Sequence, residues 1–179
     1  LELKKINEAI NAISYSIDTE QYEEALLGSE IMLNELEKYE KSESVLRLFF
    51  NLAGQFIDAG TSLRNKSAVS KGIQILETYS EHYENQSNIN YYYNLANGKL
   101  ASANDCGYSE YDVNFKNIEL FNDVKNLYWK AYKLIKKENE IDISLPFFAQ
   151  EKYLETKSHN YGWFVSENFI LPFVLFTTY

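Results

Sequence analysis

Two stretches, FFNLAGQFIDAG at residues 49–60 and YYNLANGKL at residues 92–100, carry the same Asn-Leu-Ala string inside a helical apolar pattern. Through the first, starting one residue before it, Leu48, Leu52, Phe56 and Ala59 fall at spacings of three and four. In the second, Tyr92, Leu95 and Lys99 lie on one line. A string that recurs within a helical period marks a repeated helix, and a repeat decides the fold before any other signal. A third asparagine, Asn11, lies 40 residues before Asn51, and Asn94 lies 43 after it.

The rest of the chain reads as helices around these stretches. Leu3, Ile6, Ile10, Ile13 and Ile17 form one apolar face. Asp18-Thr19 ends that helix and is read as the cap of the next. Tyr22, Ala25, Leu26, Ser29, Met32 and Leu33 form the second stripe, opposite a solvated run of Glu20, Glu23, Glu24, Glu30, Glu35 and Glu37. A third helix is expected over Val45–Ala59, capped by Ser42 or Ser44 and stopped by Gly60. A fourth spans Ser67–Tyr83 through Val69, Ile73, Leu76 and Tyr79, and a polar loop follows over Glu84–Asn90. A fifth spans Ile89–Ala103. Residues 104–120 lack clean periodicity and read as an inserted loop. A sixth helix, Phe121–Lys137, carries Val124, Leu127, Tyr128, Ala131 and Leu134 inward, and Phe147–Thr156 is read as helical. Seven glycines and two prolines in 179 residues hard-code few turns, which argues against a β-sandwich.

These runs resemble the tetratricopeptide repeat. That family marks its first helix with a large residue, then Leu-Gly or Leu-Ala, then an aromatic, and its second with Ala, aromatic and Ala. Leu52-Ala53 with Phe56 and Gly60, and Leu95-Ala96, match the first set. Val124, Tyr128 and Ala131 match the second. The resemblance covers residues 6–137. It departs where Ala12-Ile13 stands for Leu-Gly, where Lys99 holds the aromatic position, and where the loop divides the third pair. It implies an all-α, right-handed α-solenoid of about three helix pairs (6–36, 45–83 and 89–137) within residues 1–145. Residues 146–179 complete the same domain as a helical, apolar cap. The block from Tyr91 to Lys137 also resembles the repeat region of bacterial tetratricopeptide proteins that carry a HEPN domain. HEPN ribonuclease sites use Arg, a short spacer and His. Neither Arg47 nor Arg64 is followed by such a His, so no nuclease site carries over. This kinship implies a regulatory or sensor module of a larger bacterial defence-type protein.

In tetratricopeptide solenoids the residue before the Leu-Gly/Ala pair faces the concave groove, and Asn11, Asn51 and Asn94 hold that place. A carboxamide pairs with both N–H and C=O of one peptide unit, so a row of them suits the main chain of an extended ligand. Asn7, Arg47 and Asn90 lie one turn earlier on the same face. Arg47 is suited to a ligand carboxylate. Phe50, Tyr93 and Asn97 lie near the face by helical geometry, Phe50 and Tyr93 to pack a ligand's apolar side chains. The opposite reading is an Asn row that bonds neighbouring repeats and is purely structural. The Tyr91–Tyr93 run reads as packing.

Composition excludes more than it assigns. A net charge of −9, with Arg47 and Arg64 the only arginines, argues against nucleic acid. Cys106 is the one cysteine, which rules out an internal disulfide and fits a reducing, cytoplasmic compartment. His82 and His159 lack ligand-spaced neighbours, so no metal is expected. No glycine-rich phosphate loop or nucleophile motif is present, so neither a cofactor nor an enzyme is expected. The N-terminal stretch carries charges through its apolar pattern and does not read as a signal peptide. Residues 161–179 are apolar, but Glu167, Asn168 and Pro172 interrupt a membrane span. That tail is read first as a cap on the last repeat, otherwise as a homodimer or domain interface, or as an internal groove ligand. The expected function is a non-catalytic scaffold for a peptide or protein segment.

Overall fold

A computed structural model describes residues 2–85 and 89–103, and positions 123, 124, 126, 127, 130, 131, 133 and 134. The regular elements among them are all α-helices: α1 (Leu3–Asp18), α2 (Tyr22–Leu36), α3 (Glu43–Ser62), α4 (Lys66–Thr78), α5 (Ser80–Asn85) and α6 (Ile89–Ala103). The protein is all-α over this extent. None of these helices is long and apolar enough to cross a membrane.

The helices form where the apolar stripes predict, and they stop for reasons the stripes do not carry. α1 buries Ile6, Ile10 and Ile13. Its end is a Schellman turn: Gln21 N–H reaches the Ser16 carbonyl at 2.8 Å and Glu20 N–H the Ile17 carbonyl at 3.0 Å. Glu20 takes the left-handed conformation there, with φ 60°. Asp18-Thr19 therefore closes α1 and does not cap α2. Thr19 Oγ1 donates back to the Tyr15 carbonyl at 2.9 Å, and the N-cap of α2 is Gln21.

α3 ends in the same turn. Asn65 N–H reaches the Gly60 carbonyl at 2.7 Å and Arg64 N–H the Thr61 carbonyl at 3.1 Å, with Arg64 at φ 53°. Gly60 is not the stop that its position suggests. It stays helical because α4 approaches there: a Cβ on Gly60 would stand 2.9 Å from the Ala68 Cβ and from the Val69 nitrogen. Asn65 then caps α4, its side chain accepting from Ala68 N–H at 3.1 Å. The expected helix over Ser67–Tyr83 is broken at Tyr79 into α4 and α5. The break sets the Tyr79 ring 5.3 Å from Phe49 and lets the buried Tyr83 hydroxyl donate to the Leu46 carbonyl at 2.9 Å.

α3 meets α1, α2, α4 and α6, while α1 also packs on α2 and α4 on α6. Leu52, Phe56 and Ile57 of α3 are fully enclosed in one core that runs through these helices. Burial of each such side chain contributes about 1.5–3 kcal/mol. α4 lies directly on the α3 backbone, since a Cβ on Gly72 would stand 2.6 Å from the Ala53 carbonyl oxygen. Phe50, Tyr83, Tyr91 and Tyr92 form a chain of rings with successive centroids 5.4, 5.5 and 5.0 Å apart, which bears out the packing reading of Tyr91 and Tyr92. Val124 and Ala131 are helical and buried in the same core, and Lys130 Nζ lies 5.3 Å from the Tyr92 ring centre. Tyr128, Cys106, His159, the 104–120 segment and the 146–179 tail lie outside the described residues.

Candidate functional site

α1 and α3 run side by side in the same direction, with residues about forty apart facing each other. Asn7 and Arg47 line one cleft near the start of both helices. Further along, Gln55 Nε2 donates to the Ile10 carbonyl and to Ser14 Oγ, each at 2.8 Å. Near the end of α1, the Asp18 carboxylate acts on Asp58. The helical pattern then puts Asn11 and Asn51 at the same level of this face, Asn11 exposed and Asn51 half-buried.

α3 and α6 keep a similar step. A Cβ on Gly54 would stand 3.0 Å from Asn94 Nδ2, and one on Gly98 would stand 3.1 Å from Ile57 Cδ1. Asn94 therefore lies against Gly54, one turn beyond Asn51. The three asparagines form a staggered row, and the third leans on the α3 backbone. Gly54 is what admits the Asn94 amide to that position.

The other expected site residues divide between this face and the core. Arg47 and Asn90 are exposed, and Tyr93 is half-buried. Phe50 is buried against Tyr83, so its ring belongs to the core. Asn97 is 6% exposed and bonds to Tyr93. Burial pushes the Tyr93 phenol up; the Asn97 hydrogen bond opposes this, and the Asp58 charge adds to it. Tyr93 and Asn97 thus brace the α6 side of the face.

Sequence reasoning missed Asp18 and Asp58. Both sit seven residues after a row asparagine, two turns along the same stripe, so the signal was present in the pattern. Water reaches the Asp58 carboxylate, yet the helices around it strip part of its hydration. That desolvation, followed by the nearby Asp18 charge, raises its pKa to about 6. At the opposite end, Lys4, Asn7 and Arg47 line an open cleft of about 700 Å³ with Leu3, Leu48 and the first turn of α3, Glu43 included.

No family model, curated protein or solved structure matches the chain.

Proposed function

We propose that this chain is a non-catalytic, tetratricopeptide-like α-solenoid that holds an extended peptide segment on the face made by α1, α3 and α6. The observation that carries the reading is the parallel pairing of α1 with α3, which leaves Asn11 and Asn51 level with one another, Asn11 exposed and Asn51 half-buried. Two further features support it. α1 packs on α3 and α3 on α6, while α2 contacts both α1 and α3, and α4 both α3 and α6. The two hairpins α1–α2 and α3–α4 close through the same Schellman turn, with a non-glycine residue in the left-handed position both times. A repeated unit reproduces its turn as well as its helices.

The half-buried amides of Asn51 and Asn94 and the exposed amide of Asn11 supply donors and acceptors to a ligand main chain, each bond netting about 0.5–1.5 kcal/mol. Such a ladder reads backbone first and side chains second. The setting we propose is the cytoplasm, with a protein or peptide as the partner.

Capture on immobilised wild type beside Asn51→Ala/Asn94→Ala, read by mass spectrometry, tests the proposal. A segment retained by wild type and lost from a double variant of unchanged helicity supports it. Identical retention by both proteins sinks it.

A further inference from the structure

Four charges on this face are arranged against what helix stability selects, while Glu43, in the first turn of α3 and on the rim of the same cleft, takes the favoured end. Lys4 lies in the first turn of α1, and Arg47 close behind the first turn of α3. Asp18 is the last residue of α1, and Asp58 lies about one turn from the end of α3. A helix dipole favours anions at the N-terminus and cations at the C-terminus. All four residues take the disfavoured end. α1 and α3 run in the same direction, so their dipoles add to the side-chain charges rather than offsetting them. Asp18 and Asp58, brought together by the same packing, repel each other as well.

Arrangements that break a local rule with no structural gain are expected where a surface does work. All four residues are exposed. Among the described residues, Lys4 pairs with Glu8, at 4.0 Å on a solvated helix surface. Among the described residues, no cation is paired with Asp58. Arg47 and Asp58 differ by about 20° around α3 and are separated by about 16 Å along it.

On the reading that this face holds an extended peptide, we infer that its ligand is a segment carrying one acidic and one basic residue about five positions apart, the acidic residue in the Lys4–Arg47 cleft and the basic one beside Asp18 and Asp58. The spacing follows from the separation of Arg47 and Asp58 and the rise of an extended strand. Asn51 and Gly54 lie between the two ends, where the main chain crosses the Asn51 and Asn94 amides.

The test uses short synthetic peptides with acetylated and amidated ends, so that terminal charges play no part. Each holds one Glu and one Arg in a constant uncharged background, at a series of spacings and in both orders, with Glu/Glu and Arg/Arg controls. Affinities are read by fluorescence polarisation for wild type, Arg47→Glu, Asp58→Lys and the double exchange. All the altered positions are exposed, and circular dichroism checks that each variant keeps its helices. Wild type should prefer one order at a spacing near five, about tenfold over the like-charged controls. Each single exchange should remove that preference, and the double exchange should invert the preferred order.

Binding that is indifferent to charge order and spacing, but still lost in Asn51→Ala/Asn94→Ala, overturns the charge alignment and leaves the groove reading standing. Failure of wild type to bind any of the peptides overturns both.

Discussion

Gln55 reaches out of the middle of α3 to the carbonyl oxygen of Ile10, 45 residues earlier, at 2.8 Å. The same amide nitrogen serves Ser14 Oγ, and its oxygen faces the fully buried Ser29 hydroxyl at 3.5 Å. One side chain therefore fixes how α1 and α2 sit on α3. Gln55→Ala removes all three bonds, leaves the Ser29 hydroxyl without its acceptor and opens a cavity. It should cost about 2–4 kcal/mol, read from the midpoint of urea unfolding. Gln55→Met fills the volume without the bonds and should recover about half of that loss. A Gln55→Met variant as stable as wild type would show that the bonds contribute nothing beyond volume.

Glu20 and Arg64 occupy a conformation that costs a side chain about 1 kcal/mol. Glycine removes the strain but adds freedom to the unfolded chain. Glu20→Gly and Arg64→Gly should each raise stability by about 0.5 kcal/mol, and the pair should add, because the turns lie in separate hairpins. Calorimetric melting of the four proteins checks both statements.

Two glycines of neighbouring elements should respond oppositely to alanine. At Gly72 the new Cβ would meet the Ala53 carbonyl at 2.6 Å and Ile57 Cγ1 at 2.7 Å, and backbone does not yield easily. Gly72→Ala should cost about 1–3 kcal/mol despite better helix propensity. At Gly54 the nearest atom is Asn94 Nδ2 at 3.0 Å, the far end of a side chain. Gly54→Ala should leave the melting temperature unchanged or higher and weaken peptide binding about three- to tenfold, by displacing the amide.

The pKa of Asp58, about 6, lies above the usual carboxylate range, so the folded state holds its proton more tightly than the unfolded chain does. The fold is then favoured at low pH and loses stability as the pH climbs from about 4 to about 6, beyond which the loss is constant. For an exposed carboxylate, screening limits the effect to about 1 kcal/mol or less. The groups that face it are Asp18 on α1 and Tyr93 on α6. Asp58→Asn should remove this pH dependence and raise the melting temperature at neutral pH. An unchanged pH profile of stability would contradict the assignment.

The sequence pattern locates α1 because its stripe has one dominant face and that face is the buried one, and it locates α2, α3 and α6 because apolar residues recur at helical spacing even where, as in α3, most of the circumference is buried. It misplaces the end of α3 because glycine has two uses, stopping a helix and letting another approach it. Gly60 does the second, and the pattern alone does not separate them. It merges α4 with α5 because the break at Tyr79 serves aromatic contacts with residues some thirty positions away. Gln55 looks like an outward polar residue and is enclosed, since a core hydrogen bond across 45 residues leaves no local trace. On the candidate face the asparagine spacing was legible, while the register that sets Asn94 against Gly54 required packing. The carboxylates at Asp18 and Asp58 were within reach of the same helical arithmetic.

The position of α3, in contact with α1, α2, α4 and α6 at once, bears on time as well as stability. A helix that can be exposed only by displacing four others opens last, so its amides should exchange with deuterium most slowly of those described. The floor of the candidate groove is then the slowest-opening part of the protein. An incoming segment meets a surface already formed, with its ordering cost confined to the segment itself. Association should therefore scale with concentration in a single phase, with no plateau set by a rearrangement of the protein.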